Sequence, residues 1–289
     1  MTAFLTVIGA FLILLGLVDM FHTLLHPRGR GHLSHGLLSG VWALSRRTKH
    51  RFGSAAGPAG MVAVTVVWVA LQVLGWALVY LPHIPEGFSY GPGVDPSRYP
   101  EPAQAIYISA VTLATLGFGD VVATQAGIRL LAPLQALTGF ALLTGALSWF
   151  TQAYPPLSRR RALALDIACI ADADYADELA TLDAPTAAAA LWVLTSDVTK
   201  SVVDLVQHSE SYYFLEVRSR TSLASQLPYL VALQEKAADS TSPDLQLAAR
   251  RLQSGLDEMA RELDNQFLGT GGSMQEVFRA YARDHGQSG

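Results

Sequence analysis

The sequence predicts an all-α membrane protein, with three transmembrane helices, a re-entrant half-helix and loop, and a C-terminal cytoplasmic helical domain. Three observations carry that expectation. Apolar runs at residues 3–25, 59–81 and 130–150 each reach the length of about 20 residues that crosses a bilayer core. Charge is unevenly divided. Residues 1–153 hold eight Lys/Arg against five Asp/Glu, +3, and 154–289 hold twelve against nineteen, −7, which sum to the −4 of the chain. Finally, a short apolar segment before the last run ends in a glycine-rich loop, and a loop at membrane depth is tolerated only where protein buries it or it lines a watery path. The expected parts are 1–26, an N-terminal transmembrane helix; 27–57, a basic cytoplasmic linker; 58–153, two spans flanking the half-helix and loop; and 154–289, the helical domain.

In residues 3–25 the first charge is Asp19 and no small-residue cleavage site follows, so a retained helix is expected rather than a signal peptide. Asp19, His22 and His26, at spacings of three and four, share one helix face. They read either as a metal- or proton-sensing site at the membrane boundary, since histidine titrates near neutral pH, or as polar residues bonded to a neighbouring helix. The linker then carries Arg28, Arg30, Arg46, Arg47, Lys49 and Arg51 with no acid, which marks the cytoplasmic side. Its 37–44 portion is amphipathic enough to lie near anionic lipids, although topology alone also accounts for the charges. Membrane on both sides argues against nucleic acid as a partner.

The second run has Gln72 as its only strongly polar residue, and a proline-rich loop follows it. Residues 104–114 would form a helix of about 16 Å, roughly half a bilayer core. Its carboxyl end carries partial negative charge and would favour a cation at the membrane centre.

That helix leads into Thr112, Leu113, Ala114, Thr115, Leu116, Gly117, Phe118, Gly119 and Asp120. A row of carbonyls aimed inward can replace the hydration shell of a cation. Aiming successive carbonyls the same way requires the backbone to alternate in hand. Glycine takes left-handed dihedrals at little cost, whereas other residues lose about 1–2 kcal/mol, and Gly117 and Gly119 occupy alternate positions.

Residues 104–120 resemble the potassium channel family of two-transmembrane pore-domain type, here with an extra N-terminal transmembrane helix. The family pattern Thr-x-x-Thr-[Val/Ile/Leu]-Gly-[Tyr/Phe]-Gly-Asp is met without a gap. The resemblance implies a pore helix and a selectivity filter, with the carbonyls of Thr115, Leu116, Gly117 and Phe118 forming stacked K+ sites. The Thr115 hydroxyl would complete the innermost site, Gly119 would lie above them, and Thr112 and Asp120 would support the filter. One chain supplies one loop and four must meet, so a homotetramer in the lipid bilayer is expected, with K+ as permeant ion and no cofactor. Phe118 replaces the commoner tyrosine and Val111 stands where some relatives keep a carboxylate, so fewer side-chain ties to the filter are expected. Leu116 is bulkier than the usual valine.

The last run contains Pro133, Gly139 and Gly145. Gly139 lies where the family often places a hinge, and close helix packing is an equal reason for a glycine there. Ala146, Trp149 and Phe150 would meet their symmetry mates as an apolar gate. No span carries the repeated arginines of a voltage sensor. Arg159, Arg160 and Arg161 follow and again mark the cytoplasm. The chain is thus expected to be multi-pass in an inner or plasma membrane, with its N-terminus outside and its C-terminus in the cytoplasm.

Beyond residue 158 helices are expected at about 158–182, 185–217, 221–238, 243–267 and 273–284, with no strand. Pro185 after Asp183 is a start signal. No nucleotide-binding glycine pattern, calcium loop or nucleophile–base pair occurs, which argues against an enzyme. The single cysteine, Cys169, excludes an intrachain disulfide and reads as a small buried residue. Tyr212, Tyr213 and Phe214 read as helical core or as a ligand pocket. The competing functions are a non-selective monovalent cation channel and a membrane-anchored signalling or scaffold protein.

Overall fold

The computed structural model describes residues 2–25, 31–179 and 181–287. The chain divides into two compact units, Met1–Leu37 with Val62–Thr151 and Leu38–Met61 with Gln152–Gly289. Its helices run in the order α1 (Thr2–Leu24), α2 (His32–Arg47), α3 (Ala56–Tyr80), α4 (Glu101–Leu113) and α5 (Ala126–Asp172). There follow α6 (Tyr175–Glu178), α7 (Ala184–Gln207), α8 (Leu223–Ala238), α9 (Pro243–Leu263) and α10 (Met274–Asp284). Among the described residues, three helical stretches are long and apolar enough to cross a membrane: Thr2–Leu24, Gly53–His83 and Ala126–Asp172. The molecule is an all-α membrane protein.

In the first unit α1 and α3 cross where both are glycine. A Cβ on Gly9 would lie 2.5 Å from the Gly75 carbonyl oxygen, and one on Gly75 would lie 2.9 Å from that of Gly9. Lipid gives helices no hydrophobic reason to associate, so close backbone approach and hydrogen bonds must hold them. Gln72 adds one such bond, its Nε2 donating to the Ile13 carbonyl at 3.0 Å. Two strands that the sequence did not signal, β1 (Phe88–Tyr90) and β2 (Val121–Ala123), pair antiparallel with Ser89 opposite Val122. At three residues each they are too short to show a period-2 pattern, yet they clasp the chain on either side of α4. A core of Trp76, Tyr80, Phe88, Ala105, Ile108 and Ile128 lies beneath them.

The expected last span and the helix expected from 158 are one 47-residue helix, α5. Pro155 and Pro156 remove the donors for the Thr151 and Gln152 carbonyls without ending it. Ala153 and Leu157, each 1 % exposed, pack the turns on either side.

In the second unit the start signal at Asp183 and Pro185 holds. Asp183 accepts the Thr186 N–H at 3.1 Å with Pro185 in the first turn of α7, and Ser273 and Glu276 form a capping box at α10. Leu245, Leu252, Leu256 and Leu263 turn one face of α9 inward. Three expectations are corrected. Helix α7 ends at Gln207, not 217, and a tight turn over Ser209–Tyr213 buries both tyrosines. It is held by Arg160, whose guanidinium donates to the Ser211 and Phe214 carbonyls at 2.8 and 2.9 Å. Cys169 is exposed, because α5 turns Ala164, Ile167 and Ala168 inward instead. The apolar face of the 37–44 segment is covered by protein. Leu38 and Trp42 are buried, Trp42 Nε1 donates to Asp284 Oδ2 at 2.7 Å, and the Ser39 hydroxyl lies 3.0 Å from that of Tyr213.

Candidate functional site

Helix α4 ends at Leu113, and the chain then leaves the helical region in a regular alternation. Thr115, Gly117 and Gly119 have φ of 57°, 53° and 76°. Left-handed dihedrals at every second residue give the alternation of hand that a row of like-directed carbonyls requires. Thr115 is the exception to the glycine rule, at a cost of about 1–2 kcal/mol. Two backbone bonds at the end of α4 hold it there: Thr115 N–H to the Thr112 carbonyl and Leu116 N–H to the Val111 carbonyl, both 3.0 Å. Thr112 thus supports the loop through its backbone. Among the described residues none covers the loop's front. Leu116 and Phe118 are 57 % and 65 % exposed, and neither Gly117 nor Gly119 has a neighbour within 4 Å of where a Cβ would stand.

The back of the loop is anchored more firmly than the sequence suggested. The Tyr107 hydroxyl donates to Asp120 Oδ2 at 2.5 Å, and the Asp120 carbonyl accepts the Gly91 N–H at 2.7 Å. Tyr107, one helical stretch ahead of the motif, supplies a tie that Phe118 and Val111 lack. Deeper in, the Tyr80 hydroxyl donates to Gln135 Oε1 at 2.7 Å, while Gln135 Nε2 reaches the Ser109 carbonyl and hydroxyl oxygens, both at 2.9 Å. The Ser109 hydroxyl in turn donates to the Val73 carbonyl at 2.8 Å. Tyr80, Ser109 and Gln135 are fully buried, and their bonds join α3, α4 and α5. Sequence reasoning missed this network, although a lone amide in an apolar run is the signal that finds it.

Gly139 lies where α5 crosses the end of α4. A Cβ there would stand 1.9 Å from the Leu113 carbonyl oxygen, so packing alone demands the glycine. The expected gate residues separate. Ala146 and Trp149 are buried within the protomer, and the Trp149 ring lies 5.5 Å from that of Trp68. Phe150 is half-buried beside Trp149. Phe140, Leu143 and Leu147 are the large apolar residues that lie exposed along 140–150.

Asp19 is buried and fully engaged. Its carboxylate accepts the N–H groups of Leu33 and Ser34 at 2.9 and 3.2 Å, the Ser34 hydroxyl at 2.5 Å and Trp68 Nε1 at 2.9 Å. It caps the amino end of α2, where orphan N–H groups and the helix dipole favour an anion. His22 packs edge-on to Phe21, and His26, like Arg28 and Arg30, lies outside the described residues. Among the described residues no group of three or more His, Cys, Asp or Glu is placed to hold a metal ion.

Residues 64–154, about a third of the chain, match the ion channel family. The chain is also 23 % identical over 163 residues to "Uncharacterized membrane protein YdjJ" of Bacillus subtilis (strain 168), an alignment covering 55 % of this chain and 47 % of that protein. It therefore spans about half the length of that relative. No solved structure matches.

Proposed function

We propose that four copies of this chain surround one pore and conduct K+ passively and selectively. The observation that carries the reading is the left-handed φ at 115, 117 and 119 within a Thr-Leu-Gly-Phe-Gly-Asp loop, exposed on the protomer and anchored from behind. Carbonyls of Thr115 to Phe118 would replace water around K+, with the negative end of α4 aimed at the same point. Asp120 would stand at the outer mouth. The basic stretches 28–51 and 159–161 would face the cytoplasm, putting the N-terminus and the filter mouth outside and the helical domain within. Anionic lipids at the linker would meet exposed basic side chains rather than its apolar face. Trp149 and Ala146 are turned into the protomer, so the gate reading moves to Leu143 and Leu147, with Phe150 at its edge. A sensing role at Asp19, His22 and His26 would have to displace the cap that Asp19 forms.

The test is K+ flux into liposomes holding the purified protein. Barium-sensitive uptake is expected in the wild type and none in Gly117→Ala, where a Cβ meets a left-handed φ. Reversal potentials in mixed K+ and Na+ then decide selectivity: equal permeability would replace this reading by a non-selective cation channel. A wild type without flux would favour the membrane-anchored scaffold.

A further inference from the structure

Loops run over the surface because their backbone groups need water, yet in the second unit the stretch after α7 is buried from Glu210 to Leu215. Side chains serve its carbonyls instead. Arg160 of α5 donates to those of Ser211 and Phe214 at 2.8 and 2.9 Å, and His285 Nε2 stands 2.9 Å from that of Tyr212. Arg161, also of α5, donates to Glu216 Oε1 at 2.8 Å. The aromatic side chains of the turn reach two further helices. A Cβ on Gly57, in the first turn of α3, would lie 2.6 Å from Cγ and Cδ2 of Phe214, so that ring rests on bare backbone. The Tyr213 hydroxyl lies 3.0 Å from that of Ser39 in α2. The rings of Tyr212 and Tyr213 meet Trp42 of α2 edge-on at 6.1 and 6.0 Å.

One turn thus touches α2, α3 and α5, and each of these helices runs without a break into the first unit. Contacts with partners fixed on three helices oppose the movement of any one against the others. A state of the protein that needs such a movement is then populated less, by an amount set by the contacts it must give up. We propose that residues 209–217 are a brace, an inhibitory contact by which the helical domain ties the 157–161 part of α5 to the first turn of α3 and limits ion flow. Arg160 is its fixed point on α5, Phe214 its contact with α3 and Tyr213 its contact with α2. The effect on ion flow rests on the channel reading, whereas the brace itself does not.

The experiment compares full-length wild type with Phe214→Ala and Tyr213→Phe, reading hydrogen exchange in lipid nanodiscs and barium-sensitive K+ uptake into liposomes. Phe214→Ala should hasten exchange in the first two turns of α3 and raise uptake about fivefold. Tyr213→Phe, which keeps its ring and loses the contact with Ser39, should hasten exchange at 38–47 and raise uptake less. Val193→Ala, on an exposed part of α7, should change neither. Should Phe214→Ala fail to fold, Tyr213→Phe decides alone. The proposal is overturned if a conducting protein shows unchanged or reduced uptake in these variants, or if exchange in α2 and α3 stays as in the wild type. An increase that persists when Gly117→Ala is added would be leakage outside the pore and equally overturn it. A wild type without uptake rejects the channel reading instead, and exchange in α2 and α3 then upholds or overturns the brace by itself.

Discussion

The two units solve the same problem, holding helices together, with different chemistry. The first uses backbone contact and mainly neutral hydrogen bonds, with the capping Asp19 carboxylate as a charged exception: Gly9 on Gly75, Gly139 on Leu113, and the buried Tyr80, Gln135 and Ser109 network. The second uses amphipathic leucine faces and charge: Arg159 on Asp204, and Arg160 and Arg161 on Glu216. Solvent explains the difference. In a bilayer the lipid is as apolar as leucine, so burying leucine gains nothing and a charge is costly, whereas a close backbone contact or a satisfied amide keeps its worth. In water, each buried leucine contributes about 1.5–3 kcal/mol, and the half-exposed guanidiniums of Arg159 and Arg161 keep part of their hydration while they pair with largely buried carboxylates.

That contrast breaks first at its tightest point. Gly139→Ala places a methyl where the Leu113 carbonyl already stands, 1.9 Å away. The expected outcome is loss of the assembled protein in detergent, read by size-exclusion chromatography, with the second unit's helices still protected from hydrogen exchange. Leu252→Ala tests the other side. Leu252 is fully buried in α9, and truncation should cost about 2–5 kcal/mol, read as early exchange confined to α7–α10 with the first unit's exchange unchanged. Gln135→Leu comes next, because its amide serves both the Tyr80 hydroxyl and Ser109. Leaving those buried groups unpaired should cost about 1–3 kcal/mol, seen as a lower melting temperature of the first unit alone. Were Leu252→Ala milder than Gln135→Leu, the solvent argument would fail.

Much of this was legible in the chain because composition and spacing act over long stretches. Apolar runs of bilayer length placed α1, α3 and α5, and Asp183 with Pro185 started α7. The alternation of Gly117 and Gly119 announced a backbone conformation that only its neighbour Thr115 had to be forced into. What escaped were contacts between residues far apart in sequence. Nothing local in Asp19 tells that four donors from 33–34 and 68 converge on it. Nor does Pro155-Pro156 reveal that packing on both sides carries α5 through. The burial of Trp149 escaped for the same reason: which face of a helix is free depends on Trp68, about 80 residues earlier.

The smallest expected effect is one of pH, and it belongs to the second unit. His285 is buried with Nε2 2.9 Å from the Tyr212 carbonyl and Nδ1 3.2 Å from that of Tyr281. A neutral ring can donate to only one of them, so these bonds and the nearby Asp284 favour protonation. Burial and the Arg160 guanidinium oppose it and win, bringing the His285 pKa down to about 4. Unfolded, the ring titrates near 6.5 and takes up a proton that the folded unit refuses. The stability is therefore full above pH 6.5 and is lost as pH falls toward 4, by about 1 kcal/mol between pH 7.5 and 5.5. His208 runs the other way. Its bond to Glu210 outweighs burial and raises its pKa, so its smaller, half-exposed contribution is complete below 6.5 and fades as pH rises through the raised value. Hydrogen exchange of α10 should accelerate on acidification from pH 7.5 to 5.5, after correction for the intrinsic rate, and His285→Gln should remove that slope. The bonds of the first unit named above, made by neutral tyrosine, glutamine and serine groups, should show no such change. An equal acid response from Tyr80, Ser109 and Gln135 would mean that the charge-free description of that network is wrong.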